Sequence, residues 1–157
     1  MEKTLSQELL LYWSPDTADD VFKREDILNY VASNQLKRAS VDDVIWVVTV
    51  YHGELFLLGR LIVDAITDRN GAIKILGQKD VWGNKDYYGI SNPSKAEKLK
   101  KISLKNDARK FVFKSSNNKH PNLSIGNNNS VNPQELQTMR ILSPATAQLF
   151  DQIWKKF

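Results

Sequence analysis

The densest apolar patterning lies between Val41 and Val63, in two runs of β-branched and aromatic residues on either side of Tyr51-His52-Gly53-Glu54. Such residues suit a half-buried pleated surface. Gly53 can supply the positive φ that a tight hairpin turn requires. The pattern predicts an antiparallel hairpin, about Val44–Val50 against about Leu55–Val63, entered through the acidic turn Asp42-Asp43.

Around this hairpin the pattern is more broken. Leu9-Leu10-Leu11-Tyr12-Trp13 is a short apolar run that predicts a buried first strand, stopped by Pro15. Asp16 or Thr17 is placed to cap a helix, with Asp19 and Asp20 in its first turn. Val21, Phe22, Ile27, Leu28 and Val31 extend an interrupted helical spacing to about Ala32, as one helix or two. Thr67-Asp68-Arg69-Asn70-Gly71 predicts a turn on its Asn-Gly pair, and Ile73–Leu76 a short strand. Asp80 to Pro93 reads as a loop with one strand fragment. Lys98–Leu104 and Lys110–Lys114 alternate as strands do, with Phe111 and Phe113 on one face and Val112 on the other. Residues 115–132, rich in Ser and Asn, predict a mobile, exposed loop. Pro133–Leu142 is helical in pattern, and Ser143-Pro144 opens a last helix with Ala147, Phe150, Ile153 and Trp154 as its apolar face. The sum is an α+β chain with a strand-rich centre and short helices towards its ends, a single domain over residues 1–157.

Composition narrows the class. A 41% hydrophobic and 25% charged chain is ordinary for a soluble globular domain. No apolar run approaches the roughly 20 residues that span a bilayer, so no membrane partner is expected. The first residues lack a secretory pattern, and a cytoplasmic location is expected. With no cysteine, disulfides, thiolate metal sites and cysteine nucleophiles are excluded together. The net charge of +4 is uneven: residues 79–120 carry 11 Lys/Arg against 4 Asp/Glu, while residues 1–78 carry 8 against 12. A basic middle suits contact with phosphates, and equally a solvated lysine-rich loop.

Residue types that do chemistry are sparse. His52 and His120 fall in predicted turn and loop, with no metal-ligand spacing between them. No phosphate-binding glycine loop, nucleophile elbow or zinc-protease motif occurs. Neither an enzymatic residue set nor a cofactor or metal site is expected. Four tryptophans, Trp13, Trp46, Trp82 and Trp154, are the more distinctive feature. An indole packs a core as readily as it stacks on a flat ligand, and Trp154 on an amphipathic helix belongs to the core. Trp82, Tyr87 and Tyr88 stand among Lys79, Asn84, Lys85 and Asn92, an aromatic and basic stretch that can track a nucleic-acid backbone or pack on the domain.

The acidic turn, the strand Val44-Ile45-Trp46, the hairpin and the returning Leu58-Gly59-Arg60-Leu61 resemble the central hairpin of EVE and wider PUA-like domains. Tyr12-Trp13-Ser14-Pro15 looks like their opening strand, and Tyr30–Arg38 like the helix end before their hairpin. Val131–Arg140 resembles a segment of EVE-like domains attached to HNH-type nucleases in modification-dependent restriction systems. The likeness implies a PUA-like small β-barrel with short flanking helices. It also implies recognition of a modified base, in DNA rather than RNA, flipped into an aromatic pocket. Pocket candidates on this reading are Trp13, Ser14, Ser33, Asn34, Trp46 and Trp82; Ser33 and Asn34 also stand where a helix should end. Backbone candidates are Lys37, Arg38, Arg60, Lys79, Lys85, Lys98, Lys100 and Lys101. No nuclease part accompanies these motifs, so cleavage is not carried over and a separately encoded nuclease is the implied partner. The competing expectation is a regulatory protein that binds a nucleotide or another small planar ligand in the same pocket.

Overall fold

The structure, a computed structural model, describes residues 6–78, 81, 83, 85–114 and 122–157. Ten strands and three α-helices are described: β1 (Glu8–Tyr12), α1 (Pro15–Arg24), β2 (Ile27–Leu28), β3 (Tyr30–Ala32), β4 (Val44–Tyr51), β5 (Glu54–Thr67), α2 (Arg69–Leu76), β6 (Tyr88–Ser91), β7 (Glu97–Lys98), β8 (Ile102–Ser103), β9 (Phe113–Lys114), β10 (Arg140–Leu142) and α3 (Pro144–Lys156). An eight-stranded sheet runs in the order β3-β6-β5-β4-β1-β10-β9, with β8 also pairing β5, while β2 and β7 form a separate pair. All the pairings are antiparallel except β1 with β4. The fold is thus α+β around a large, mostly antiparallel sheet. Its described strand path is open, ending at β3 and β9, and does not close into a barrel.

The predicted hairpin is present, with Tyr51 opposite Glu54 across a two-residue turn. His52 and Gly53 both adopt positive φ, 50° and 81°, the primed turn whose twist matches that of the flanking strands.

β4 and β1 divide the interior into two cores by residue parity. Leu9, Leu11, Trp13, Ile45 and Val47 enter one hydrophobic cluster; Leu10, Trp46 and Val48 enter the other. Side chains alternate along a strand, so the pairing of Leu10 with Trp46 puts both on the same face. On β5 the alternation breaks. Leu55 and Leu57 join the Trp46 cluster, whereas Leu61 and Val63 join the Trp13 cluster. The cause is a bulge: Val47 pairs Gly59 and Val48 pairs Leu57, leaving Leu58 as an extra residue. One inserted residue exchanges the faces of everything beyond it. At Gly59 a Cβ would lie 2.6 Å from Leu28 Cδ2, so β2 approaches β5 as closely as it does because that residue is glycine.

Several expected elements take another form. Ser14, not Asp16 or Thr17, caps α1, its Oγ accepting from the Thr17 N–H at 3.2 Å. Residues 27–32 are extended rather than helical, forming β2 and β3. Asp68 accepts from the Gly71 N–H at 2.8 Å and starts α2 where a hairpin turn and strand were expected; Gly77 ends that helix at φ 67°. Lys98–Leu104 and Lys110–Lys114 contribute only two-residue strands, although Phe111 and Phe113 do share a buried face with Val112 outside. Pro133–Leu142 splits into a 3-10 turn at Pro133–Leu136 and strand β10. The described part of the expected exposed loop is exposed at Asn122, Ser124, Gly126, Asn127, Asn128 and Asn132, but is anchored by Ile125, which bridges Val131, and by the buried side chains of Leu123 and Val131. The predicted last helix is α3, with Ala147, Phe150, Ile153 and Trp154 buried. Among the described residues no helix is long and apolar enough to cross a membrane.

Candidate functional site

A cavity of about 590 Å³ lies between α1, the residues after β3 and the stretch leading to β6. This volume lies within the range of small-ligand sites. Leu11, Trp13, Val21 and Ala32 are its buried, apolar lining; Tyr12 borders it too, but its half-buried side chain packs against the opposite, Trp46 cluster. Polar groups occupy the remainder: Ser14, Thr17, Asp20 and Arg24 from α1, Ser33, Asn34 and Gln35 from the segment after β3, and Lys85 and Gln137 opposite.

Each wall has a local cause. The α1 contributors fall at 14, 17, 20, 21 and 24, a spacing of three and four that lays one helical face along the cavity. Ser33 lies at the start of a 3-10 turn, Asn34–Arg38, and accepts from the Gln35 N–H at 3.1 Å. The expected helix end is therefore a helix start. The Asn34 side-chain oxygen Oδ1 accepts from the Asp86 N–H at 2.8 Å, and the Ser33 N–H donates to the Tyr87 main-chain carbonyl at 3.0 Å. Tyr88 Oη donates to the Gly83 carbonyl at 2.7 Å. These three bonds hold Gly83 and Lys85 against the cavity. Gly83 itself has φ 84°, and a Cβ there would meet Ala32 Cβ at 2.9 Å. Gln35 closes another side, donating to the Gln137 carbonyl at 2.6 Å and accepting from the Met139 N–H.

Of the expected pocket residues, Trp13, Ser14, Ser33 and Asn34 converge here. Trp46 does not. It is fully buried in the other core, edge-on to Phe150 and Trp154 at 5.6 and 6.1 Å, and donates its indole N–H to Glu8 Oε1 at 2.9 Å. Strand parity puts it on the face opposite Trp13. Trp82 lies outside the described residues, as do Lys79 and His120. His52 is exposed at the hairpin turn.

The expected backbone contacts scatter. Lys85 lines the cavity; Lys37 and Arg38 are exposed on the 3-10 turn that begins at its edge, Arg38 reaching the Met139 carbonyl at 3.4 Å. Arg60 is half-buried and engaged within the fold. Its guanidinium pairs with Glu97 at 3.1 Å, approaches Asp151 at 4.0 Å and lies over the Trp46 ring. Lys100 donates to the Trp154 carbonyl at 2.9 Å and covers that ring at 4.3 Å, tying the loop to the end of α3. Lys98 is exposed on β7, and Lys101 lies over Tyr51 at 4.4 Å. Lys101 also borders another cleft, of about 550 Å³, beside the end of α3.

Thr17, Asp20, Arg24, Gln35 and Gln137 were not expected at the site. Helical spacing from Ser14 was signal enough for the α1 members; the two glutamines meet only through the tertiary fold. Among the described residues no group of three His, Asp or Glu side chains is placed to hold a metal ion. Compared with known proteins, the chain matches no family model and no curated protein.

Proposed function

We propose that the chain is a non-enzymatic nucleic-acid-binding module that takes one base, modified and in DNA by preference, into the cavity beside α1. The observation that carries this reading is the convergence, around about 590 Å³, of the Trp13 indole with a ring of hydroxyl and amide groups. A planar base needs an apolar, aromatic surface and a small number of edge donors and acceptors. Thr17 and Ser33 offer hydroxyl donors, Ser14 an acceptor, and Asn34, whose oxygen already serves Asp86, its amide N–H groups, while Gln35 is engaged at both ends of its amide. Extruding a base costs a few kcal/mol of stacking, which contact with an aromatic side chain, about 1–3 kcal/mol per base, offsets.

This reading places the chain with EVE-like, PUA-like small-barrel domains. Its support is the β4–β5 hairpin with its Leu58-Gly59-Arg60-Leu61 return; the open strand path is the departure from a closed barrel. A module of this kind acts through a partner, and a separately encoded nuclease fits a modification reader. A second reading, a protein that binds a nucleotide or other small planar ligand, is favoured by one observation. Lys98, Lys100 and Lys101 do not line the cavity, and Lys100 and Arg60 are engaged within the fold.

Titration with plain and base-modified oligonucleotides, DNA and RNA, at low and high salt decides between them. The nucleic-acid reading expects DNA binding that weakens with salt and strengthens with modification, since phosphate contacts release counterions while base contacts specify. No binding to any oligonucleotide at low salt overturns it; salt-insensitive binding of free nucleosides alone promotes the second.

A further inference from the structure

We propose that the cavity is built for a base together with its own phosphate, and that Arg24 and Lys85 are the residues that seat the phosphate. The inference rests on the base-binding reading above and deepens it. Its starting point is the distribution of charge. α1 runs along the cavity with its hydroxyls, Ser14 and Thr17, at one end and Arg24 at the other. Ten residues of helix separate Ser14 from Arg24, about 15 Å at the usual rise. That length accommodates a base, its sugar and its phosphate end to end, and exceeds the base alone.

Arg24 and Lys85 come from different parts of the chain, α1 and the stretch before β6, yet both line this cavity. Both are exposed, and neither makes an ion pair or hydrogen bond among the described residues. Against these two cations the described lining sets one carboxylate, Asp20, which leaves the cavity with a net positive charge. The helix dipole explains a cation in the last turn of α1 but not which side of the helix carries it. Lys23, in the same turn, meets that need without lining the cavity, whereas Arg24 lines it. Asp20, one turn earlier, also borders the cavity, but no ion pair joins it to Arg24. Its carboxylate is an acceptor for a sugar hydroxyl or an amino group of the base. Arg24 can hold a phosphate through two parallel N–H donors, and Lys85 adds a point charge.

The test compares nucleoside 5′-monophosphates with the matching nucleosides by calorimetric titration, on the unaltered chain and on Arg24→Gln and Lys85→Gln. Both side chains are exposed, and a thermal melt verifies that the variants remain folded. The expected result is monophosphate binding at least tenfold tighter than nucleoside binding. Each substitution should reduce that advantage several-fold, the pair should abolish it, and nucleoside affinity should stay unchanged. Equal affinity for nucleoside and monophosphate, or an advantage that survives in the double variant, overturns the proposal while leaving a base pocket in place. Binding of neither compound nor of any oligonucleotide overturns both. Monophosphate binding with no oligonucleotide binding supports the phosphate seat and ends the nucleic-acid reading instead.

Discussion

Trp46 on β4 donates its indole N–H to Glu8 Oε1 on β1, 2.9 Å away, across the single parallel pairing of the sheet. The bond crosses from the strand entering the hairpin to the strand entering α1, with Phe150 and Trp154 against the ring. Trp46 is therefore a fixed point of the core and not a wall of the cavity.

Replacing Trp46 with Ala should destabilise the fold by ~3–5 kcal/mol, because it leaves a large hole between sheet and α3. Trp46→Phe refills most of that volume but leaves the Glu8 carboxylate without its indole donor, so an intermediate loss is expected. Chemical denaturation of both variants measures this. A Trp46→Ala protein as stable as the unaltered chain would return Trp46 to the list of residues available for ligand contact.

The three lysines of the basic segment should separate by role. Lys100→Ala should destabilise by about 1–2 kcal/mol, since it removes a charged hydrogen bond to the Trp154 carbonyl and a cation over that ring. Lys98→Ala, at an exposed site, should stay within about 0.5 kcal/mol of the original. If this segment meets phosphates, Lys98 and Lys101 are its accessible cations. Their joint replacement should then reduce the slope of log affinity against log salt by about one to two. Thermal melts and salt titrations separate the two effects.

Much of the frame was legible because its signals are local. Period-two apolar runs with Gly53 between them specify a hairpin whatever surrounds it, and Ser143-Pro144 before a spaced apolar face specifies α3. What depends on tertiary register was not. Trp13 and Trp46 both stand in predicted strands, and the pairing of Leu10 with Trp46, which sends the two indoles to opposite faces, is a long-range fact. The bulge at Leu58 is equally hidden, because an extra residue in an apolar run leaves no polar mark. Asn70-Gly71 misled for another reason: the Asp68 carboxylate captures the Gly71 N–H and begins a helix, and a four-residue apolar run suits helix and strand alike. Arg60 is charged within an apolar strand because Glu97 and Asp151 come to meet it from β7 and α3.

Tyr51 gives a prediction about alkaline pH. Burial first, then the hydrogen bond to Asp19 at 2.8 Å and the charge of that carboxylate, push its hydroxyl from 10.0 up to about 12. The folded state thus holds a proton that the unfolded chain releases from about pH 10 upward. Linkage makes stability fall as pH rises between those values, with the contribution complete below pH 10 and gone above 12. Tyr51→Phe should flatten that decline. Following unfolding and phenolate absorbance together over this range tests it; an unchanged decline in the variant would assign the loss to other groups.

Asn34 joins the fold and the candidate chemistry in one side chain, so two substitutions there should give different results. Its oxygen accepts from the Asp86 N–H and so helps hold Lys85 at the cavity, while its amide N–H groups are the donors it offers a ligand. Asn34→Asp keeps an acceptor for Asp86 but replaces the donors with a second carboxylate in the cavity lining, besides Asp20. Base binding should weaken about tenfold or more, as expected when a donor is lost and an acceptor takes its place, with hydrogen exchange at the Asp86 amide little changed. Asn34→Ala removes both functions. Exchange at Asp86 should then rise, and the extra affinity conferred by a phosphate should fall as Lys85 loses its tether. Amide exchange by nuclear magnetic resonance and titration with matched nucleosides and monophosphates read the two functions separately. If Asn34→Asp binds as well as the unaltered chain, Asn34 serves the loop alone, and the edge of the base is read by Ser14, Thr17 and Ser33.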